Sequence, residues 1–314
     1  MRNFFLFISL FFAIFGIQID VSYAYISIKI IIKVIDETGT PISNADARVS
    51  FIQDEQVLIK GKTDSKGIFI AEGRGINVGG VDVNKEGFYD SGSPYQFNKQ
   101  STNIYVKEIT LTLKKKINPI PMYATDIGYL KIPEFGKPIG FDLEKRDWVA
   151  PYGNGIISDF IFIADRHYKD VRNADMSIVL SFSNPKDGIL KYSVSSENQS
   201  DFIWPFEAPS EGYVDKINKW ESIYISKGEE HKTNMDLEKS NYIFRVRTQI
   251  DSKGNIISAK YGKIRGEIIA SRAGTVNFKY YFNPDGTRNL EFDTKKNLFK
   301  FSSKENLEYG VNQP

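Results

Sequence analysis

The chain of 314 residues contains no cysteine and only two histidines, His167 and His231. Disulfide and thiolate chemistry are therefore excluded. A zinc site is disfavoured as well, because zinc usually takes at least two histidine or cysteine ligands. The closely spaced acidic ligands of a calcium loop are also missing. We therefore expect no metal and no cofactor.

No excess of charge of one sign is present, since 41 Lys and Arg accompany 39 Asp and Glu and the formal net charge is +2. A nucleic-acid-binding surface depends on a strong positive field, so nucleic acid is not an expected partner. The length predicts two domains, each large enough to bury its own core.

Long apolar runs are absent except near the N-terminus, at residues 4–17. Arg2 precedes this run and Ser22-Tyr23-Ala24 follows it, which is the order of a secretory signal peptide. The run is shorter than the roughly 20 residues of a membrane-spanning helix. We interpret residues 1–24 as a signal peptide cleaved after Ala24, with a retained anchor as the alternative.

The mature protein is accordingly expected in the periplasm, on the cell surface or in the medium, with no transmembrane span after cleavage. An exported chain without disulfides favours a bacterial source.

Helical periodicity is scarce, whereas short β-rich runs bounded by Gly, Asn, Asp and Pro recur along the chain. This pattern predicts an all-β protein of two sandwich-like units. Asp36-Glu37-Thr38-Gly39 and Asp64-Ser65-Lys66-Gly67 are predicted to be tight turns. The predicted strands are 28–35, 47–52, 56–60, 68–71, 77–83 and 104–113 in the first unit, and 159–164, 177–182, 189–194, 242–250, 256–267, 275–282 and 290–293 in the second.

Three further predictions are local. Residues 242–250 alternate apolar and polar side chains, with Arg245 and Arg247 on the polar side, so one face of this sheet is expected to be solvated. The proline-containing segment 204–209 is expected to be irregular. A short helix is expected within 213–225.

A boundary is indicated where Lys114-Lys115-Lys116 is followed by Asn118-Pro119-Ile120-Pro121. Two prolines in three residues remove backbone donors and favour extended geometry. We predict a first domain at 25–116, a linker at 117–121 that no strand or helix crosses, and a mostly-β domain at 122–314.

Specific strings in the first unit resemble a known family. They are Val34-Ile35-Asp36-Glu37-Thr38-Gly39-Thr40-Pro41-Ile42, Ala45-Asp46-Ala47-Arg48-Val49 and Thr63-Asp64-Ser65-Lys66-Gly67-Ile68-Phe69. Over residues 27–114 the chain resembles the carboxypeptidase regulatory-like domain. The resemblance implies a transthyretin-like sandwich of about seven strands that acts as scaffold or interaction module and brings no catalytic residue.

The remainder is similar to a group of uncharacterised exported bacterial proteins, at strings such as Asp147-Trp148-Val149-Ala150-Pro151-Tyr152-Gly153. This similarity implies a recurring module and no particular activity.

Motifs for nucleophilic catalysis are missing, because there is no Gly-x-Ser-x-Gly elbow and no cysteine. His231 lies in a strongly charged string and is expected to be solvated. Alternation along a strand would place Asp165 on the same face as His167, where it could orient the imidazole. The plainer interpretation is a polar strand end, and no catalytic residue is assigned.

Paired carboxylates of a glycosidase can lie anywhere in a chain. Asp147 and Glu207 are the candidates because each has aromatic neighbours in sequence, Trp148 for Asp147, and Trp204 and Phe206 for Glu207. A carboxylate-dependent hydrolase therefore stays open as an alternative function.

Aromatic residues make up 14% of the chain, and several lie where the strand pattern fails. A loop aromatic either plugs the core or presents a flat apolar face to a sugar ring or a peptide. We expect a non-enzymatic exported protein that binds a glycan or another envelope component, with a structural envelope subunit joined by strand edges as a further alternative. The candidate ligand-binding residues are Trp148, Tyr152, Trp204, Phe206, Tyr213 and Trp220.

Overall fold

The computed structural model describes residues 25–93, 104–194, 200–238 and 240–314. Strands dominate these residues, which confirms the prediction of an all-β protein. The predicted signal peptide, residues 1–24, lies outside the described residues. In the described ranges, no helix combines the length and the apolar character needed to cross a membrane.

The first unit contains β1 (Ile26–Asp36), β2 (Asp46–Ile52), β3 (Gln56–Lys62), β4 (Ile68–Gly75), β5 (Asn77–Asn84), β6 (Ser91–Ser93) and β7 (Ile104–Leu113). The second unit contains β8 (Ile120–Asp126), β9 (Leu130–Lys131), β10 (Pro138–Asp142), β11 (Asp147–Trp148), β12 (Phe160–Asp170), β13 (Asn173–Ser181), β14 (Gly188–Ser193), β15 (Lys216–Tyr224), β16 (Glu229–Thr233), β17 (Ser240–Ile250), β18 (Ile256–Ser271), β19 (Thr275–Asn283) and β20 (Phe292–Asn297). A 3-10 turn (Ile225–Lys227) and the short helix α1 (Ser303–Tyr309) complete the described elements.

The seven strands of the first unit form two sheets, in the orders β4-β1-β7 and β3-β2-β5-β6. Successive side chains of a strand point to opposite faces. Accordingly Ile30 and Ile32 of β1 are buried against Val49 and Phe51 of β2, while Lys33 is exposed. Seven strands in two layers is the number that the resemblance implies, while membership of the carboxypeptidase regulatory-like family stays a prediction.

The second unit also stacks two sheets, a six-stranded one in the order β11-β10-β12-β13-β15-β16 and a larger one in the order β14-β17-β18-β19-β8-β20, with β9 paired to β19. The main core lies between them and is rich in aromatic rings. Phe160 of the six-stranded sheet packs edge-on against Phe244 of the larger sheet, with ring centroids 5.1 Å apart.

The expectation of a solvated face on residues 242–250 is wrong. The irregular segment 200–214 covers the outer face of the larger sheet with Phe202 and Trp204, both 0% exposed. Arg245 lies beneath this cover and donates hydrogen bonds to the carbonyl oxygens of Lys186 and Ser210, at 2.7 and 2.9 Å. The polar side of β17 therefore faces hydrogen-bond acceptors within the protein.

Two other local predictions also fail. The region 213–225 holds β15 and no helix, because its backbone pairs with β13 on one side and β16 on the other. The segment 117–121 is partly strand, since β8 begins at Ile120. The Ile120 N–H donates to the carbonyl of Glu291 at 2.9 Å, and Pro121, which has no N–H to offer, lies exposed next to it.

The two units share a third cluster of buried residues. Tyr89 of the first unit stacks on Phe202, with ring centroids 4.7 Å apart, and its hydroxyl donates to Glu291 at 2.9 Å. Glu291 also accepts from the backbone N–H groups of Ile117 and Asn118, at 2.9 and 2.7 Å. A buried carboxylate of the second unit thus fixes the chain at the junction between the units.

Candidate functional site

Trp148 is a core residue. It is 3% exposed, its indole N–H donates to the Lys131 carbonyl at 3.0 Å, and its ring packs edge-on against Phe141 and Phe162. The expectation that Trp148 presents a face to a ligand is therefore wrong, because the side chain is buried in the core.

Trp204, Phe206 and Tyr213 belong to the segment that covers the larger sheet. Trp204 is 0% exposed, so its predicted role in binding is also wrong. Phe206 is half-buried and stacks on Phe202, with ring centroids 5.4 Å apart. Tyr213 is half-buried, donates its hydroxyl to the Pro209 carbonyl at 2.8 Å and lies under the Arg245 guanidinium. These three side chains belong to the buried cluster between the covering segment and the larger sheet.

Tyr152 and Trp220 are the two candidates that lie outside both the main core and the covering segment. Tyr152 is 37% exposed, and its hydroxyl donates to the Glu134 carboxylate in a neighbouring loop. Trp220 lies on β15, away from Tyr152, and is partly exposed. The six candidates therefore do not converge on one site.

Trp220 points to the outer face of the six-stranded sheet because of alternation along β15. Its neighbours Lys219 and Glu221 point inward, and Lys219 is 8% exposed. In register, Trp220 lies opposite Ser177 of β13, which in turn lies opposite Asp165 of β12. Directly opposed residues share a face of the sheet, so these three side chains form one row across the outer surface.

The rows on either side complete a surface that we call the Trp220 face. One row consists of Ile163, Val179 and Asn218, and the other of His167, Asp175 and Ser222. None of these side chains is fully buried. The Trp220 face therefore combines a flat ring, aliphatic side chains, and hydroxyl, amide and carboxylate groups within a few neighbouring positions.

Partners on this face differ from the sequence-based expectation. His167 Nδ1 lies 3.2 Å from Asp175 Oδ1, and the Tyr224 hydroxyl donates to the other oxygen of Asp175. The carboxylate that orients His167 is therefore Asp175 and not Asp165, because strand pairing brings β13 alongside β12. Asp165 has no hydrogen-bond or ion-pair partner among the described residues, and neither has the indole N–H of Trp220.

A buried ion pair connects β15 to β18 of the larger sheet. Lys219 Nζ lies 2.9 and 3.0 Å from the two carboxylate oxygens of Glu267, which also accepts from the Tyr242 hydroxyl at 2.6 Å and from the Asp236 N–H at 2.9 Å. Burial alone would raise the pKa of Glu267, but the hydrogen bonds from Tyr242 and Asp236 and the charge of Lys219 lower it below its usual value. The strand that carries Trp220 is thus anchored to the larger sheet.

The carboxylates expected for a hydrolase do not form a close pair. Asp147 lies on β11 at the edge of the six-stranded sheet and accepts from the Trp148 and Asn154 N–H groups, both at 2.8 Å. Glu207 lies in the segment over the opposite face of the larger sheet and pairs with Arg288 at 2.5 Å. His231 is partly exposed and pairs with Glu221 at 3.2 Å. A glycosidase mechanism needs two carboxyl groups flanking one bond, which Asp147 and Glu207 cannot provide.

Sequence reasoning missed a buried charge cluster around Arg247. Its guanidinium binds Asp159 through two hydrogen bonds of 2.7 and 2.9 Å and also contacts Glu144. Burial lowers the pKa of Arg247, but Asp159 and Glu144 outweigh this effect and raise it above its ordinary value. Arg247 belongs to the larger sheet and Asp159 directly precedes β12 of the six-stranded sheet, so their ion pair joins the two sheets. Among the described residues, no group of His, Asp and Glu is arranged to hold a metal ion.

A cleft of about 380 Å³ lies at the junction of the two units. Its walls include Asp90 and Asp201, and burial together with the charge of Asp90 raises the pKa of Asp201. The aromatic residues that line it, Tyr89 and Phe292, are 3% and 1% exposed. The cleft therefore offers carboxylates but no free aromatic face, in contrast to the Trp220 face.

Comparison with known proteins gives no family. No protein-family profile matches the chain, and no curated protein matches it either. Structural similarity is found to a DUF3823 family protein from Parabacteroides merdae, with 9% identity, covering 85% of this chain and 99% of that one at a TM-score of 0.20. A candidate carbohydrate binding protein from Bacteroides uniformis matches with 10% identity over 81% of this chain and 95% of that one, at a TM-score of 0.21. The shaft pilin SpaA from Lactobacillus rhamnosus GG matches with 9% identity over 76% and 93%, also at 0.21. TM-scores of this size carry no argument about function.

Proposed function

We propose that this chain is an exported, non-enzymatic protein that binds carbohydrate on the Trp220 face. The observation that carries the proposal is the position of Trp220. Of the three tryptophans, two are buried, while Trp220 is partly exposed on a regular strand and its indole N–H has no partner among the described residues.

Sugar rings present C–H groups on their faces and hydroxyl groups around their edges. An aromatic ring accepts the apolar face, while neighbouring polar side chains accept and donate hydrogen bonds at the edge. The Trp220 face supplies both, since Ser177 and Asn218 flank Trp220 and the unpartnered carboxylate of Asp165 lies beyond Ser177. The binding groups lie on strands, so little ordering is required when a ligand binds.

An open sheet surface favours binding over catalysis. The pair His167 and Asp175 lies on this surface with the His167 side chain 83% exposed. General acid and base catalysis relies on positioned groups around a sheltered bond. A binding module is the function that the exposed geometry supports best.

The proposal is tested by replacing Trp220 with alanine and measuring affinity for a panel of soluble polysaccharides by affinity electrophoresis. Loss of the stacking ring is expected to weaken binding at least about tenfold, because a buried aromatic contact is worth more than 1 kcal/mol. Tyr129→Ala is the matched control, because Tyr129 is 74% exposed and lies outside the Trp220 face. Equal retardation of the native chain, Trp220→Ala and Tyr129→Ala would contradict the proposal, provided thermal melts show that each is folded.

Export is proposed from residues 1–24 alone. If the signal peptide is cleaved after Ala24, the mature protein recovered from a bacterial host begins at Tyr25. N-terminal sequencing checks this, and an intact Met1 on the recovered protein would contradict it.

A further inference from the structure

Among the residues that the structure describes, no carboxylate lies within ion-pair distance of the Arg166 guanidinium. Arg166 lies on β12 beyond the last residue that pairs with β10, because that pairing ends at Ile163. The edge of β12 is therefore open to the loop around Gly136, whose N–H donates to the Ala164 carbonyl at 2.8 Å.

Two contacts fix the position of Arg166, and Gly274 lies beside it. Its guanidinium lies 4.3 Å from the ring centroid of Tyr168, and its Nε donates to the Arg272 carbonyl at 2.7 Å. A Cβ added at Gly274 would lie 3.4 Å from Arg166 Nη1 and 3.3 Å from Phe135 Cζ. Arg166 and Phe135 thus both lie next to Gly274, where any larger residue would press on them.

Asp165, next to Arg166 in the chain, is directed to the opposite face of the sheet, and two other carboxylates of this region are already engaged. Glu221 accepts from the Arg272 N–H at 2.6 Å and pairs with His231 at 3.2 Å. Glu134, next to Phe135 in sequence, pairs with Lys137 at 2.6 Å and accepts from the Tyr152 hydroxyl. Within the described ranges Arg166 has no ion-pair partner. Its charge is therefore left for a ligand to neutralise.

We infer that Arg166 binds a carboxylate or sulfate group of an acidic carbohydrate, with Phe135 and Tyr168 beside the sugar ring. The planar guanidinium offers parallel N–H donors that match the two oxygens of such a group. Phe135 and Tyr168 are 38% and 50% exposed, so their rings are accessible. This site is separate from the Trp220 face, and only the assignment of the ligand to carbohydrate rests on the proposed function.

The surroundings favour a single charge on a ring over a run of charges on a peptide. The neighbouring cations are already paired, Lys137 with Glu134 and Arg272 with Glu221, at 2.6 and 3.4 Å. One free guanidinium between two exposed aromatic rings suits a flat ligand that carries one anionic group at its edge.

The test uses the full chain and three probes, namely trigalacturonate, its methyl ester and a chondroitin sulfate tetrasaccharide, with affinities measured by titration calorimetry at low salt. Arg166→Gln is expected to weaken binding of the charged probes by about tenfold or more, because charge-assisted hydrogen bonds are lost. Binding of the uncharged ester is expected to be weak and unchanged. Arg166→Lys keeps the charge but not the planar fork, so it is expected to restore only part of the affinity.

Arg172→Gln is the matched control, since Arg172 is exposed at the nearby turn between β12 and β13. The inference is overturned if neither charged probe binds, if the ester binds as tightly as trigalacturonate, or if Arg172→Gln has the same effect as Arg166→Gln. Comparable binding of a polyglutamate peptide overturns the assignment to carbohydrate. Failure of the Trp220 face is distinguishable, because Trp220→Ala is expected to leave the effect of Arg166→Gln on the charged probes intact.

Discussion

The side chain direction set by local geometry decides what each tryptophan does in this protein. Trp148 faces the core between the two sheets, and Trp204 lies in the segment that covers the larger sheet. Trp220 is directed outward only because Lys219 and Glu221 take the inward positions on either side of it. Proximity of aromatic residues in sequence was therefore a poor guide to a common site.

Lys263 is a fully buried cation of the larger sheet, and its burial leads to a prediction about the pH dependence of stability. It is 0% exposed, is surrounded by the rings of Phe202, Trp204 and Tyr281, and donates to the Leu290 carbonyl at 2.6 Å. Burial lowers the pKa of Lys263 well below 10.5, and Arg265 adds to this effect while Glu291 opposes it.

The unfolded chain therefore holds this proton up to higher pH than the folded chain does. Between the lowered pKa and 10.5, the contribution of Lys263 to folding becomes more favourable as the pH rises. Lys263→Met should increase the free energy of unfolding at pH 7 by about 1–2 kcal/mol, with a smaller gain at pH 10. Urea unfolding at both pH values measures this, with exposed Lys253→Met as control. A gain that does not change with pH would contradict the assignment.

Arg247 carries a second prediction at this scale. It neutralises Asp159, whose side chain is 0% exposed. Arg247→Met should reduce the free energy of unfolding by about 3–5 kcal/mol, because it leaves a buried carboxylate unpaired. Asp159→Asn in the same chain should recover much of this loss. Urea unfolding of the single and double variants measures both effects, and additive losses would show that the two side chains do not stabilise each other.

At the scale of elements, several long strands were predictable from β-rich runs, including β17 and β18 with their buried charges, whereas β15 was not. The strand predicted at 104–113 coincides with β7 (Ile104–Leu113). In β15 the inward positions hold Lys219 and Glu221, whose partners Glu267 and Arg272 lie about 50 residues further along the chain. The apolar alternation of β15 is therefore interrupted, because Ile217 packs against the core while the next two inward positions carry charges that need these distant partners.

The same limit applies to the candidate sites. The row formed by Trp220, Ser177 and Asp165 depends on the order of β12, β13 and β15 in the sheet, which one sequence does not specify. Arg166, Phe135 and Gly274 are brought close together from three separate segments of the chain. Residue types in these sites were visible in the sequence, but their neighbours were set by tertiary structure.

Strand β7 carries a prediction about association. It is the outer strand of the sheet β4-β1-β7, and Lys107, opposite the buried Ile30, places a charge on the inner side of this edge. An inward charge on an edge strand opposes pairing with another chain. Lys107→Val should therefore produce dimers or larger species at high protein concentration. Light scattering after size exclusion measures this, with Lys33→Val as control on the outer face. Unchanged mass at all concentrations would contradict this role of Lys107.

At the scale of the whole molecule, we expect the junction at Glu291 to make the two units unfold together. Glu291 is 1% exposed and accepts hydrogen bonds from Tyr89, Ile117 and Asn118. Glu291→Gln replaces one accepting oxygen with an amide N–H group, which then faces another hydrogen-bond donor. The junction should therefore be weakened by about 1–3 kcal/mol. Calorimetry is expected to show one transition for the native chain and two for the variant. Exposed Glu207→Gln is the control, and two transitions in the native chain would contradict the coupling.

Binding of carbohydrate at Trp220 can be measured directly by the quenching of tryptophan fluorescence. Since Trp148 and Trp204 are 3% and 0% exposed, quenching of emission by acrylamide should report mainly on Trp220. A polysaccharide retained by the native chain is expected to protect this emission from acrylamide, and Trp220→Phe is expected to remove the protected signal. Unchanged quenching with every polysaccharide, or equal protection in Trp220→Phe, would contradict it.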